Sequence, residues 1–232
     1  MNTTLALTCT AAVLLAACSS TGDSAAEVVE PQWVSLDSLD GWRGFKKDDV
    51  PQGWAIEDGA ITLMTTGAGD LITRETFDSF ELELEWKISP RGNSGIMFHV
   101  SEDYDPTYLT GPEMQVLDNS VFEGNMDGKH AAGSNYDLQA PAKDDTRPVG
   151  EFNKVRLLVD NGHVEHWLNG VKQCEYDLWS DEWKAMVAAS KFASMPAYGL
   201  QREGHIALQD HGNPVWYRNI RIRRLPTVAE AQ

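Results

Sequence analysis

Three segments of this chain carry proton-transferring or hydrogen-bonding side chains at every second residue. Apolar residues stand between them, so in an extended strand the polar set and the apolar set point to opposite faces. Imidazole and carboxylate groups can transfer protons, and amides both donate and accept hydrogen bonds. If the three polar faces belong to one sheet, the side chains converge on a site; otherwise each lies on an ordinary solvated face. The polar set is His99, then Glu113 and Gln115, then Gln209 and His211.

The apolar residues of the same segments are the predicted core. Gly95 and Met97 share the outer face with His99, and Ala207 shares it with Gln209. Small residues among the polar ones leave room for a ligand. Alternation assigns to the core Ile96, Phe98 and Val100 in the first segment, Met114 and Val116 in the second, and Ile206 and Leu208 in the third.

Strands, rather than helices, must position these side chains. Residues 81–88 alternate strictly between apolar and charged types, which is typical of a half-buried strand. Asp-Gly and Asn-Gly turn signals at residues 58–59, 161–162 and 169–170 join further short runs into hairpins. One helix-like stretch covers residues 181–192. This pattern predicts an all-β fold: a two-sheet antiparallel β-sandwich, or jelly roll, with one short helix.

Composition limits the classes of partner. The chain has 232 residues, with 19 Lys and Arg against 35 Asp and Glu, and a formal net charge of −16. A hydrophobic content of 42% is enough for a real core, so the chain as a whole is not disordered. The negative charge would repel phosphate, which argues against nucleic acid and against electrostatic docking on anionic lipid. Its simplest interpretation is that it keeps a secreted protein soluble.

The first residues form a predicted targeting segment. Residues 1–17 hold no charged side chain and are too short to span a bilayer comfortably, as in a signal peptide. They lead into Cys18 through Leu-Ala-Ala, which resembles the lipobox of bacterial lipoproteins, with a plain secretory signal as the alternative. Cys18 would then carry lipid, residues 18–32 would be a flexible tether, residues 33–226 the folded domain and residues 227–232 a tail. The expected location is the cell envelope, anchored by lipid on the periplasmic or surface face of the outer membrane.

Six motifs in order make a family recognisable. Together they closely resemble the 3-keto-disaccharide hydrolase family, from about Trp33 to Leu225. The resemblance implies a concanavalin A-like jelly roll, secreted or lipid-anchored, that acts on 3-keto-glycosides. The motifs span residues 92–98, 111–119, 166–170, 190–192, 204–212 and 217–222.

Such a substrate has its own chemistry. A ketone at C3 acidifies the proton on C2, so a base can form an enolate that expels the C1 substituent, and water can then add. This route needs a general base, an electrophile at the ketone oxygen and an acid at the leaving oxygen. His99 or Glu113 is the candidate base. Lys191 or a bound divalent metal ion is the candidate electrophile, and His99, Glu113 and His211 could ligate such an ion, although no motif demands a cofactor.

The remaining candidates would bind a carbohydrate substrate. Amides suit sugar hydroxyls because they both donate and accept, and Tyr136 lies in a loop that resembles the family's substrate rim. Trp42 or Trp54 could stack on a sugar ring, although tryptophan is more commonly a core residue. The alternative function is a non-catalytic carbohydrate-binding module, which would need no base. The predicted substrate-binding residues are Asn93, Gln115, Tyr136, Gln209 and His211.

Overall fold

A computed structural model describes residues 31–122 and 128–227. Its strands form two sheets in which every pair of neighbours is antiparallel, and its single α-helix is α1, Asp181–Ala188. This confirms the predicted two-sheet β-sandwich with one short helix. The signal peptide, the tether up to residue 30, Cys18 and residues 228–232 lie outside the described residues. Within the described ranges, no helix is long and apolar enough to cross a membrane.

The larger sheet has eight strands. Seven follow the order β11-β10-β9-β6-β13-β4-β3, and β1 pairs with β13. The predicted hairpins are present, because β3 and β4, β9 and β10, and β10 and β11 are joined at the expected turns. The strands are β1 (Val34–Ser35), β3 (Trp54–Glu57), β4 (Ala60–Leu63), β6 (Phe80–Ile88), β9 (Asn153–Asp160), β10 (His163–Leu168), β11 (Val171–Asp177) and β13 (Val215–Arg224).

The smaller sheet has five strands in the order β2-β5-β12-β7-β8. All three segments with alternating polar side chains lie in or just after its neighbouring strands β12, β7 and β8. Strands remote in sequence are therefore adjacent in space, as convergence requires. The strands are β2 (Trp42–Gly44), β5 (Leu71–Thr73), β7 (Asn93–Val100), β8 (Glu113–Leu117) and β12 (His205–Leu208).

The main hydrophobic core contains apolar side chains from both sheets. Ile96 and Phe98 from β7 and Met114 and Val116 from β8 belong to it, as alternation predicts. Burial of this kind stabilises the fold by roughly 25 cal/mol for each Å² of apolar surface removed from water. The tryptophans considered for sugar stacking also belong to the core. The indole of Trp42 donates to the Leu36 carbonyl over 2.8 Å, and that of Trp54 to the Gly69 carbonyl over 2.9 Å.

A β-bulge near the end of β7 reverses the predicted alternation. The residues paired with β12 advance by three on β7, from Met97 to Val100, while β12 advances by only two. His99 takes the extra position with a left-handed φ of 51°. Val100 consequently packs with Met97 and Ala207 on the outer face, so its assignment to the inner core is wrong.

The helix is shorter than predicted. Ser180 accepts a hydrogen bond from the Trp183 amide and begins α1, and Trp183 is buried against the core. Residues 191–192 do not continue the helix but lie in a 3₁₀ turn, Lys191–Ser194. Ser190 caps this second turn by accepting from the Phe192 amide over 3.1 Å. The break changes the direction of the chain and brings Lys191 to the rim of a cavity.

Candidate active site

A cavity of about 240 Å³ lies on the outer face of the smaller sheet. It collects seven of the eight residues predicted to act in catalysis or substrate binding. Strands β7 and β8, the residues just after β12, one loop and two 3₁₀ turns each contribute to its wall. The lining residues are Asn93, Tyr108, Glu113, Gln115, Tyr136, Lys191, Phe192, Gln209 and His211.

The Glu113 carboxyl group is almost sealed from water, with 6% of the residue exposed. Burial disfavours the charged form and is the main reason that its pKa is raised to about 8. The positive charge of Lys191 opposes this shift, and the negative charge of Asp70 adds to it. A carboxyl group with a pKa this close to neutrality can both take and return a proton.

A glycine on the neighbouring strand leaves room for the side chain of Glu113. Gly95 lies beside it on β7, and a Cβ atom at that position would stand only 1.9 Å from Glu113 Oε1. No larger residue fits there without displacing the carboxyl group. The glycine next to the predicted catalytic residues therefore sets the position of Glu113 rather than leaving space for a ligand.

The Gln115 amide makes satisfactory hydrogen bonds in only one orientation. With its nitrogen facing the carboxyl group, it donates to Glu113 Oε1 and to the Ser94 carbonyl, 3.1 Å each. Its oxygen then faces the Asn93 amide at 3.3 Å. Gln115 thereby holds the carboxyl group of Glu113 in place, and Asn93 lies beside it in the wall.

Lys191 stands opposite, placed by a carboxylate rather than by a strand. Its backbone N–H donates to Asp137 Oδ2 over 2.8 Å, and Asp137 also binds the imidazole of His130 over 2.9 Å. The ammonium group lies 4.1 Å from the ring centroid of Tyr136 and 5.1 Å from that of Phe192. The two aromatic rings attract the cation and direct it into the cavity.

The wall formed by Gln209 and His211 is held by backbone contacts. The Gln209 amide donates to the Gly95 carbonyl over 3.0 Å, and the Ser94 hydroxyl donates to the Gln209 carbonyl over 2.7 Å. Asp210, between them, accepts from the Gly212 amide over 2.9 Å. The chain therefore turns directly after β12, and both side chains reach the cavity.

His99 is not part of this cavity, so its predicted place at the site is wrong. The bulge turns its ring inward, where only 1% of the residue is exposed. Its Nε2 lies 2.8 Å from the Asp78 carbonyl, and the ring packs edge-on against Phe80 and Phe98. Burial also lowers its pKa. Of the two candidate bases, only Glu113 lines the cavity.

The three proposed metal ligands do not meet, because Glu113 and His211 line the cavity and His99 does not. Among the described residues, one other cluster brings three ligand atoms within 4.8 Å of one another. It lies in the larger sheet, where the ammonium group of Lys172 is 3.2 Å from one of its carboxylate oxygens. The cluster is His163, Glu165 and Glu175.

Two lining residues were not predicted from the sequence. Phe192 follows Lys191 in one of the family-like motifs, so its position next to a predicted site residue could have indicated it. Tyr108 lies in a 3₁₀ turn between β7 and β8, Thr107–Leu109, and no motif or alternation marks it. Only the folded chain brings this turn to the edge of the cavity.

A larger cavity of about 420 Å³ opens beside β1. Its walls include Val34, Leu36 and Phe77 beside charged side chains such as Arg74 and Glu75, and none of the predicted site residues lines it. The smaller cavity is the better candidate because amide, carboxyl and ammonium groups converge there.

The chain matches the profile of the 3-keto-alpha-glucoside-1,2-lyase-like domain over residues 32–223. It belongs to this family. A curated relative, the 3-keto-disaccharide hydrolase of Bacteroides thetaiotaomicron, is 38% identical over 81% of this chain and 76% of the relative. The predicted family is thus confirmed.

Solved structures agree with the fold of this 3-keto-alpha-glucoside-1,2-lyase-like domain. One crystal structure from Parabacteroides distasonis, named provisionally as a glycosyl hydrolase, is 32% identical with a TM-score of 0.77, over 84% of this chain and 94% of the other. A second from the same organism and with the same provisional name has a TM-score of 0.66 at 26% identity, over 84% of this chain and all of the other (100%).

Proposed function

We propose that this protein cleaves 3-keto-glycosides by removing the C2 proton, expelling the C1 substituent and then adding water. The observation that carries the proposal is the buried Glu113 carboxyl group, which shares one polar cavity with the Lys191 ammonium group. The first can serve as the base, and the second can neutralise charge that develops on the ketone oxygen.

The broader class of reaction rests on the family. The chain is a glycoside-cleaving hydrolase, as its family profile and its curated relative support. The two printed names differ in one respect, since one is a lyase and the other a hydrolase. Elimination followed by hydration accounts for both, because the lyase product is the intermediate of the hydrolase reaction.

In the first step the Glu113 carboxylate takes the proton from C2. The electron pair of the C–H bond moves into a C2–C3 double bond, and the ketone oxygen becomes an enolate. Lys191 stabilises this negative charge, which does not exist in the substrate, so its effect is larger in the transition state than in the ground state. A positioned base of this kind contributes about 10²–10⁴-fold to the rate.

In the second step the enolate oxygen re-forms the C3–O double bond, the C2–C3 π pair moves to form the C1–C2 double bond, and the C1–O bond breaks with its electron pair leaving on oxygen. The leaving oxygen takes the proton that Glu113 acquired, which restores the carboxylate. Water then adds its hydroxyl group to C1 and its proton to C2, giving the 3-keto sugar. Overall one water molecule is consumed, and no charge accumulates on C1 as it would in an ordinary glycosidase.

The cavity suits one sugar ring. Its 240 Å³ is below the roughly 300–1,000 Å³ of sites that hold drug-sized molecules, so the leaving group extends outside. Amide side chains from β7, β8 and the residue directly after β12, namely Asn93, Gln115 and Gln209, line the cavity and can hydrogen-bond ring hydroxyls. Specificity for the ring and tolerance of the leaving group follow from this arrangement.

The decisive experiment incubates the purified protein with a 3-keto-disaccharide and, separately, with its unoxidised parent. We expect cleavage of the keto form alone, because only the ketone acidifies C2. Product is followed by chromatography, and reaction in deuterated water should place deuterium at C2. Binding of both sugars with turnover of neither would favour a carbohydrate-binding module, and cleavage of both would point to ordinary glycosidase chemistry.

We also propose that the protein is anchored in the cell envelope by lipid on Cys18. The motif around Cys18 and the small, polar and acidic residues that follow it support this location. A 3-keto-glycoside that reaches the envelope would be cleaved there.

A further inference from the structure

We propose that Asp70 is a positioning residue for the proposed reaction: its carboxylate ties the turn that carries Tyr108 to the loop that carries His211. This inference rests on the proposed function. Asp70 itself does not line the cavity, and no family-like motif of the sequence includes it.

The first tie reaches the turn before β8. One carboxylate oxygen of Asp70, Oδ2, accepts a hydrogen bond from the hydroxyl group of Thr107. Thr107 is buried, with 1% exposed, and opens the 3₁₀ turn whose next residue, Tyr108, lines the cavity. A hydrogen bond to a charged group is stronger than one between neutral groups, so this bond helps to hold the turn in place.

The second tie is reciprocal. Asp70 Oδ1 accepts from the Asp210 amide over 2.8 Å, and Asp210 Oδ2 accepts from the Gly69 amide over 2.9 Å. Each aspartate thus binds the backbone of the other's segment, and the loop with Gln209 and His211 is clamped to the start of β5. One side chain therefore fixes two walls of the cavity.

The negative charge of Asp70 also acts on the base. The charge raises the pKa of Glu113, and burial raises the pKa of Asp70 itself. The other groups that act on one or both carboxyls are charged or titratable as well. They are Asp210 and His211 beside Asp70, and Lys191 across the cavity. Burial raises the pKa of the phenols of Tyr198 and Tyr217, the charge of Glu113 in turn adds to both shifts, and that of Asp70 adds to the shift of Tyr217.

Two substitutions separate position from charge. In Asp70→Asn the amide oxygen can accept from Asp210 and the amide nitrogen can donate to Thr107, so the ties persist without the charge. In Asp70→Ala both ties are lost. We expect Asp70→Ala to lower kcat by about tenfold to a hundredfold, and Asp70→Asn to keep a larger fraction of kcat.

The pH dependence of kcat/KM distinguishes an effect on Glu113 from a purely structural role, because a purely structural role would leave it unchanged. Removing a like charge lowers the pKa of Glu113, so the acidic limb of kcat/KM should move to lower pH in Asp70→Asn, by at least about half a pH unit. Asp118 supplies the matched control, since it accepts from the Arg91 and Ser120 amides outside the cavity. Asp118→Asn should leave the acidic limb in its wild-type position.

If Asp70→Ala does not fold, substitutions of Thr107 test the same hydrogen bond from its other partner. Thr107→Val removes the hydroxyl group at nearly constant volume and should lower kcat, whereas Thr107→Ser should retain it. Wild-type kcat in Asp70→Ala or Thr107→Val, or an unshifted limb in Asp70→Asn, would overturn the role of Asp70. A wild-type protein that cleaves no keto substrate would instead overturn the proposed function, so the two failures are distinguishable.

Discussion

At the scale of single residues, the site depends on one carboxyl group whose environment differs from water. Burial holds the pKa of Glu113 at about 8, so the group is mostly protonated at neutral pH and ionises just above it. In the proposed reaction, such a group would take the proton from C2 and could also return it. Lys191 limits the shift by its charge, and Asp70 increases it.

Glu113→Gln should abolish useful turnover, by about 10²–10⁴-fold, because the amide cannot take the C2 proton. In the wild type, kcat/KM should rise with pH through about 8, as the carboxylate forms. The control is His99→Ala, which should lower the melting temperature but leave turnover per folded molecule intact. Full turnover in Glu113→Gln would show that another group is the base.

Glu113→Gln should also stabilise the folded protein at alkaline pH. Because the pKa of Glu113 is raised on folding, its contribution to stability is complete below the unfolded pKa of about 4.5 and is lost as pH rises through about 8. Glutamine carries no such penalty. At pH 9 the melting temperature of Glu113→Gln should exceed that of the wild type by at least about 2 °C, with no gain at pH 4.

At the scale of strands and turns, the site is assembled by register. Strand β7 pairs with β8 so that Gly95 lies opposite Gln115, and this places a residue without a side chain beside Glu113. Further along β7 the bulge at His99 reverses the alternation. Odd-numbered residues such as Met97 face outward before the bulge, whereas the even-numbered Val100 faces outward after it. The residues of β7 that line the candidate cavity are therefore confined to the regular part of the strand.

Gly95→Ala tests this register. A Cβ atom would stand 1.9 Å from Glu113 Oε1, so the carboxyl group must move. We expect kcat to fall by roughly a hundredfold with little change in KM, measured by steady-state kinetics on the keto substrate. Circular dichroism should show the wild-type strand content. Unchanged kcat would mean that Glu113 tolerates displacement and that its position in the structure is not the reactive one.

At the scale of the whole molecule, the two sheets divide their tasks. The smaller sheet carries the cavity, whereas the outer face of the larger sheet carries ion pairs between β6 and β13, such as Arg221 with Glu83 and Arg218 with Glu85. Exposed pairs of this kind contribute about 0–1 kcal/mol each, so they favour solubility and strand register more than stability. Two of these cations also stack on aromatic rings, Arg218 on Phe152 and Arg221 on Trp33.

The proposed anchor concerns the whole molecule as well. Expressed in a two-membrane bacterium, the wild type should incorporate labelled palmitate and sediment with membranes, and Cys18→Ser should do neither. Cys174→Ser is the matched control, because Cys174 is buried in the core and should not change labelling. Labelling that survives in Cys18→Ser would place the lipid elsewhere, and an unlabelled wild type would leave only a secretory signal.

The sequence by itself determined the fold class and the family, and it pointed to most of the residues that line the candidate cavity. Alternation depends only on the pleat, so Glu113, Gln115 and Gln209 could each be assigned to the outer face of its own predicted strand before any coordinates were known. Ordered motifs brought in Lys191, Tyr136 and Asn93. These signals are local or familial, and neither needs the packing of one strand on another.

The tertiary structure alone decided which of these side chains meet. The bulge that removes His99 depends on pairing between β7 and β12, where a residue must be accommodated against a strand more than a hundred positions away. The same holds for Tyr108 and Asp70, which act through a turn and a hydrogen bond between distant segments. Alternation describes one strand in isolation, whereas register, bulges and ties across loops arise only when strands pair.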